Sequence, residues 1–133
     1  MLRPVPACHA NGMSEILGAA PILPVLDIAE SINWFLRKLG FAPEFQYPPD
    51  APVYAIVSRE GIEIHLRVSA VDPAHNPVQC YFGVVGIDEL YHEYLVRDVI
   101  HPAGDLALKP WGQKEFSVLE INGAMLIFGE PAE

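Results

Sequence analysis

The chain has 133 residues, of which 51% are hydrophobic and 19% charged, so it can bury the core of one ordinary domain and is not disordered by composition. Eight basic and 17 acidic residues give a net charge of −9, which argues against a nucleic-acid or anionic-membrane partner, because both require a basic surface. No apolar run approaches the roughly 18 residues of a membrane span, and two cysteines do not form a disulfide framework, so we expect a cytoplasmic protein.

The chain divides into an N-terminal arm and one domain. We expect residues 1–17, which show no periodicity, to form a mobile arm, and residues 18–133 to form a single domain. The short apolar segment 20–26 predicts a buried strand, and a helix with an apolar stripe follows it. Asp27 predicts the N-cap of this helix, and Gly40 predicts its end.

Three strands are predicted after the helix, over residues 42–47, 53–59 and 62–68. Glu60 and Gly61 predict a tight hairpin between the last two strands. In the third strand apolar and polar residues alternate, so the strand has one apolar and one polar face. The polar face carries Glu63, His65 and Arg67.

The second half of the chain repeats this order of elements. Residues 80–85 predict a strand, and Asp88 predicts the N-cap of a second helix. Two further strands, over residues 114–119 and 124–129, flank an Asn-Gly sequence at 122–123. Asn-Gly between apolar runs is a strong signal for a β-hairpin.

The two halves also match residue by residue at a nearly constant offset. The matched pairs are Val25 with Val85, Phe35 with Tyr94, Leu36 with Leu95 and Gly61 with Gly123. The repeat predicts an α+β fold of two paired β-α-β-β-β modules, about residues 20–68 and 80–129. Together the two modules are expected to form a half-open sheet that encloses a cavity.

Several motifs resemble those of one known superfamily. They are Ile22-Leu23-Pro24-Val25-Leu26-Asp27, Gly61-Ile62-Glu63-Ile64-His65-Leu66, Pro110-Trp111-Gly112 and Asn122-Gly123-Ala124-Met125-Leu126-Ile127-Phe128-Gly129. The pattern resembles the vicinal oxygen chelate superfamily of glyoxalases, bleomycin-resistance proteins and extradiol dioxygenases, and within it the bleomycin-resistance branch most. The resemblance covers residues 20–130 and implies a homodimer with two binding clefts built across the subunit interface.

Enzymes of this superfamily hold a divalent metal through side chains on the first, fourth, fifth and eighth strands. The resemblance places these four positions at Ala20, His65, Cys80 and Ile127. Alanine and isoleucine cannot coordinate a metal, and the two remaining ligands are fewer than the three of a typical catalytic zinc site. We therefore expect no metal and no cofactor, and we expect these positions to line a metal-free pocket.

Three interpretations of His65 follow from its place between Glu63 and Arg67. It is a general base positioned by Glu63, a hydrogen-bonding group that orients a ligand, or a half-buried histidine satisfied by its neighbours. We favour the second, because a lone base without a Lewis acid leaves the developing charge unstabilised. Cys80 is expected to face the same cavity as an inert thiol.

Aromatic and apolar side chains are expected to form the rest of the cavity. Trp111 lies in a loop, where it either stacks on a flat ligand at the cavity mouth or fills a gap at the sheet end. Bleomycin-binding relatives carry Trp-Gly at this point and contact the drug with the tryptophan, and we give the two interpretations equal weight. The expected wall residues are Phe82, Phe116, Met125 and Ile127, with Tyr47 and Tyr54 at the opposite rim.

These expectations lead to one functional hypothesis and two alternatives. The hypothesis is a metal-free small-molecule-binding protein of the bleomycin-resistance type, which sequesters a cationic or aromatic ligand in an apolar, partly acidic cleft. The first alternative is a divergent glyoxalase-like lyase, isomerase or dioxygenase that uses His65. The second is a non-catalytic structural or regulatory dimer whose cavity is filled by its own side chains.

Overall fold

The computed structural model describes residues 13–133 and contains eight strands within them. The first four are β1 Ile22–Val25, β2 Ala42–Tyr47, β3 Tyr54–Arg59 and β4 Ile62–Val68. The other four are β5 Gln79–Gly83, β6 Ala107–Leu108, β7 Gln113–Leu119 and β8 Met125–Pro131. They form two four-stranded sheets, ordered β1-β4-β3-β2 and β5-β8-β7-β6.

The two sheets have the same topology, which confirms the predicted repeat and the α+β fold class. In each sheet the first strand runs parallel to the last, and the other neighbours are antiparallel. One matched pair is wrong: Val85 is 96% exposed, whereas Val25 is fully buried. Val84, one residue earlier, packs against the core instead.

The first helix begins and ends where the sequence predicts. Helix α1, Ile28–Trp34, starts at Asp27, whose carboxylate accepts a hydrogen bond from the Glu30 amide at 2.8 Å. A wider π-helical turn, Phe35–Leu39, extends the helix to Gly40. Gly40 has a φ of 77°, the left-handed conformation that glycine adopts without strain.

The second helix begins differently from the prediction. Helix α2, Ile87–Val96, has Gly86 as its N-cap, and Asp88 makes no capping bond. The Glu130 carboxylate on β8 accepts hydrogen bonds from the Gly86 and Ile87 amides instead, at 3.0 and 3.2 Å. The Glu130 carboxylate therefore compensates the positive end of the α2 helix dipole. Asp88 instead forms an ion pair with Lys114, with an N–O distance of 2.9 Å. No helix among residues 13–133 is both long and apolar enough to cross a membrane.

The helix-facing sides of both sheets form one continuous hydrophobic core. Its largest members include Leu23, Phe35, Ile64, Tyr94 and Phe116. The two helices and both sheets contribute to this core.

One polar junction between the modules centres on Arg59, at the end of β3. Its guanidinium donates two hydrogen bonds to the Glu93 carboxylate on α2, at 2.8 and 3.0 Å, and one to the Leu39 carbonyl at 2.8 Å. The Tyr94 hydroxyl donates to the same carbonyl, and burial raises the pKa of Tyr94 to about 12. Arg59 lowers the pKa of Glu93 through these hydrogen bonds.

A second polar junction lies at the predicted Asn-Gly hairpin between β7 and β8. Asn122 Oδ1 accepts a hydrogen bond from the Leu26 amide at 3.0 Å, and Asn122 Nδ2 donates to Glu120 and to Ser31 Oγ. Only 1% of Glu120 is exposed, and burial raises the pKa of its carboxyl. The hairpin turn thus connects the second module to the start of α1 in the first.

Candidate ligand-binding site

The polar face predicted for β4 is confirmed. Register pairs Ile56 with His65 and Tyr54 with Arg67 across β3 and β4, and Tyr47 with Tyr54 across β2 and β3. We call this surface, which lies away from the core, the first open face. It carries Tyr47, Tyr54, Glu63, His65 and Arg67.

His65 is the centre of a hydrogen-bonded row on the first open face. Its Nδ1 lies 2.5 Å from the Tyr54 hydroxyl, and its Nε2 lies 3.0 Å from Glu63 Oε1. A carboxylate only accepts hydrogen bonds, so Nε2 carries the proton toward Glu63, and with a neutral imidazole ring the Tyr54 hydroxyl is the donor to Nδ1. The residue is 8% exposed. Both ring nitrogens are therefore occupied, which suits a positioned polar group better than a free base.

Arg67 is the charged side chain of the first open face that has no partner among residues 13–133. It is exposed, and its guanidinium makes no hydrogen bond or ion pair with any residue that the structure describes. Its register partner Tyr54 places it beside the His65 row. A ligand that reaches this row would therefore meet a guanidinium with all its donors available.

The predicted faces of the second sheet are partly wrong. Phe82, Phe128 and Phe116 lie in one register row and stack on one another in the core, so Phe82 and Phe116 do not face the open side. Phe116 is 1% exposed. Cys80 has the same orientation, packs against the core, and has its thiol pKa raised by burial. The expected position of Cys80 in the cavity is therefore also wrong, since its side chain packs against the core.

The second open face carries Tyr81, Glu115, Met125 and Ile127, on the side of the second sheet away from the core. Met125 and Ile127 lie there as predicted and are partly buried. Tyr81 and Glu115 were not among the predicted site residues. The strand alternation of Cys80, Tyr81 and Phe82 could have identified Tyr81, once Cys80 and Phe82 were assigned to the core.

Glu115 holds two aromatic side chains on the second open face. Its Oε2 accepts a hydrogen bond from Trp111 Nε1 at 2.8 Å and from the Tyr81 hydroxyl at 3.0 Å. Trp111 lies in the β6–β7 turn, where Gly112 has a φ of 86°. Burial and the Glu115 carboxylate raise the pKa of Tyr81. The Trp111 indole is 65% exposed, so it is fixed at its nitrogen and open at its ring.

Gly129 provides the space in which Tyr81 reaches Glu115. A Cβ at Gly129 would lie 1.9 Å from the Tyr81 hydroxyl oxygen, so Gly129→Ala is expected to displace this phenol and break its bond to Glu115. Loss of the carboxylate contact should bring the pKa of Tyr81 back toward its ordinary value, which a difference titration of tyrosine absorbance measures. The matched control is Gly83→Ala on the adjacent strand, where a Cβ meets open space. An unchanged titration in Gly129→Ala would contradict the proposed Tyr81–Glu115 contact.

The residues present do not fit a divalent metal. Within residues 13–133, no group of three or more His, Cys, Asp and Glu side chains is placed to hold an ion together. Both nitrogens of His65 are hydrogen-bonded, and Cys80 faces the core. Ala20 and Ile127 provide no donor atom. Metal ligation at these four positions would require side chains that the chain does not have there.

Curated relatives are similar to this chain over most of their length. The bleomycin resistance proteins of Geobacillus stearothermophilus and Staphylococcus aureus are each 27% identical to it over 130 residues, which cover 85% of this chain and 96% of each relative.

Solved structures share its fold. The bleomycin resistance determinant encoded on transposon Tn5 superposes with a TM-score of 0.74 at 18% identity, over 86% of this chain and 97% of that one. The bleomycin-binding protein from Streptomyces verticillus, solved in complex with copper(II)-bleomycin, superposes with a TM-score of 0.72 at 24% identity, over 91% and 99%. These likenesses establish the fold.

The repeated sheets and helices define a protein of paired β-α-β-β-β modules. A family model described as "Glyoxalase superfamily protein" matches residues 8–133. The chain belongs to this superfamily, which confirms the resemblance found in the sequence.

Proposed function

We propose that the chain is a small-molecule-binding protein of the bleomycin-resistance type, which sequesters its ligand in a metal-free cleft and releases it chemically unchanged. Relatives named as bleomycin resistance proteins and a structural neighbour in complex with bleomycin support this function. A cytoplasmic location is part of the proposal, because sequestration protects a target inside the cell.

The Trp111 indole is the observation that carries the proposal. Its ring is exposed while its N–H is fixed to Glu115, so the plane is oriented before any ligand arrives. A flat aromatic ligand can stack on such a ring without the entropy loss of ordering it. Tyr81, Met125 and Ile127 provide apolar surface on the same sheet face as Glu115, which holds the indole.

The first open face would provide polar orientation. Tyr54, His65 and Glu63 present a fixed row of hydrogen-bonding groups, and Arg67 adds a guanidinium that no described residue pairs with. The net charge of −9 would attract a cationic drug at long range, and salt would weaken this attraction.

We also propose a homodimer in which the first open face of one chain and the second open face of its partner form each cleft. Tyr47 and Tyr81 are more than half exposed on these faces, as expected for surfaces completed by another subunit. Phe82, Phe116 and Cys80 are left out of the proposed site because they face the core.

Thermal unfolding with bleomycin tests the proposal. At 100-fold its Kd, bleomycin is expected to stabilise the protein by about 2.7 kcal/mol. Trp111→Ala should weaken binding about fivefold through lost stacking. Trp111→Phe, the matched control, keeps a ring but loses the bond to Glu115, so it should weaken binding less. Absence of any stabilisation would contradict drug sequestration and favour the structural dimer.

A further inference from the structure

We propose that a cavity between the two modules is a second ligand site, which takes a small organic cation with an aromatic body. The cavity has a volume of about 480 Å³. It lies between the β3–β4 hairpin of the first module and α2 of the second. None of the open-face residues Tyr47, Tyr54, His65, Tyr81 and Trp111 lines it, so it is distinct from the proposed sequestration cleft.

The floor of the cavity is aromatic. It is formed by Phe41, Phe82, Tyr94 and Phe128, and the rings of Phe82 and Phe128 stack with centroids 4.9 Å apart. Leu90 of α2 completes the apolar wall. Such a surface favours the hydrocarbon body of a ligand.

The rim of the cavity is acidic. Glu60, Glu89 and Glu93 line it, against Arg59 as the basic lining residue. Arg59 already pairs with Glu60 and Glu93, which leaves its charge compensated. Glu89 makes no hydrogen bond or ion pair through its side chain with any described residue. The residues lining the cavity therefore have a net negative charge, and the Glu89 carboxylate is available to a ligand. Charge complementarity favours a cationic ligand.

Binding of phenethylammonium to the full chain tests this site, with the neutral 2-phenylethanol as the matched probe. Amide NMR shifts at Val84, Val85 and Leu90 are expected to saturate with the cation. The cation should bind about fivefold more tightly than the alcohol at low salt, and this difference should shrink as salt is added. Equal affinity of the two probes, or shifts confined to the open faces, would overturn the proposal.

Variants of two neighbouring acidic residues in the first turn of α2 distinguish a contact inside the cavity from the effect of the protein's overall charge. Glu89→Gln is expected to weaken phenethylammonium binding about fivefold. Asp88→Asn removes the same charge one residue away, outside the cavity lining, and should leave binding nearly unchanged. Val85→Lys, at a highly exposed lining position, should also weaken binding by placing a competing ammonium at the rim. Equal effects of the two acid variants would overturn the proposal.

The sequestration function and the second ligand site can be disproved separately. Trp111→Ala should leave phenethylammonium binding at Leu90 unchanged. Loss of bleomycin binding with retained shifts at Leu90 would contradict the sequestration function alone. Normal bleomycin binding without shifts from phenethylammonium would contradict the second site alone.

Discussion

Arg59→Met is expected to destabilise the fold by about 3 kcal/mol. The substitution keeps most of the aliphatic stem but removes both bonds to the Glu93 carboxylate and the bond to the Leu39 carbonyl. Glu93 would remain only partly exposed without its partner, and truncating one member of such a pair costs more than a surface ion pair contributes. Denaturant unfolding at one fixed protein concentration measures the loss.

The matched control is Arg67→Met, which removes the same group from an exposed position with no partner among the described residues. Its stability should stay close to that of the parent chain. Equal losses in the two variants would contradict the structural role of the Arg59 junction.

The stability difference between the parent chain and Arg59→Met is expected to depend on pH. The Glu93 pKa is lower in the folded chain than in the unfolded chain, so the unfolded state binds more protons between these two values. The stabilisation from Arg59 is therefore present at neutral pH and is lost as the pH falls through the lowered pKa. The difference between parent and Arg59→Met should accordingly shrink in acid, and a difference that grows in acid would contradict the assignment.

Asn122→Ala is also expected to destabilise the fold by about 3 kcal/mol. The change leaves the Leu26 amide without its acceptor and the buried Glu120 carboxylate without its closest donor, at 2.7 Å. Leaving buried polar groups unpaired costs the desolvation of each. Asn76→Ala, an exposed asparagine in the segment between the modules, is the matched control and should be nearly neutral.

The folded-state pKa of Glu120 is shifted in the opposite direction to that of Glu93, but the Asn122→Ala effect has the same pH dependence as the Arg59→Met effect. The folded pKa of Glu120 is raised, so protonation favours the folded state, and stability falls as the pH rises through the raised value. Removing Asn122 withdraws a donor from the charged form, so the loss in Asn122→Ala should be larger at neutral pH than in acid. A larger loss in acid would contradict this role of the Asn122 amide.

The first module was predictable from sequence because its signals are local. Asp27 and Gly40 mark the ends of the first helical segment, and the alternation in β4 assigns His65 to the correct face. Each of these signals depends on a few neighbouring residues whose types differ sharply in polarity or backbone preference.

The second sheet was harder because its strands are apolar on both faces. In β8, Leu126 and Phe128 alternate with Met125 and Ile127, so hydrophobicity does not distinguish the core side from the open side. The core-facing side of β8 becomes clear only from the register that pairs Phe128 with Phe82 and Phe116.

The polar contacts between modules had no local signal. Arg59 and Glu93 are 34 residues apart, and Leu26 and Asn122 are 96 apart. Glu93 and Arg97 are four residues apart, the spacing of an ion pair on a helix surface, but Arg97 donates to the carbonyls of Arg37 and Lys38 instead. Such pairs depend on how the modules meet, which a single sequence does not encode in any short window.

Recovery of bleomycin from chelator-treated protein tests sequestration most directly. The drug is expected to bind to saturation and, after the protein is denatured, to be recovered with an unchanged mass, whether or not a divalent metal is added back. Trp111→Ala protein incubated in parallel should retain less drug. Recovery of a chemically altered product, formed faster when the metal is restored, would contradict sequestration and establish a catalyst.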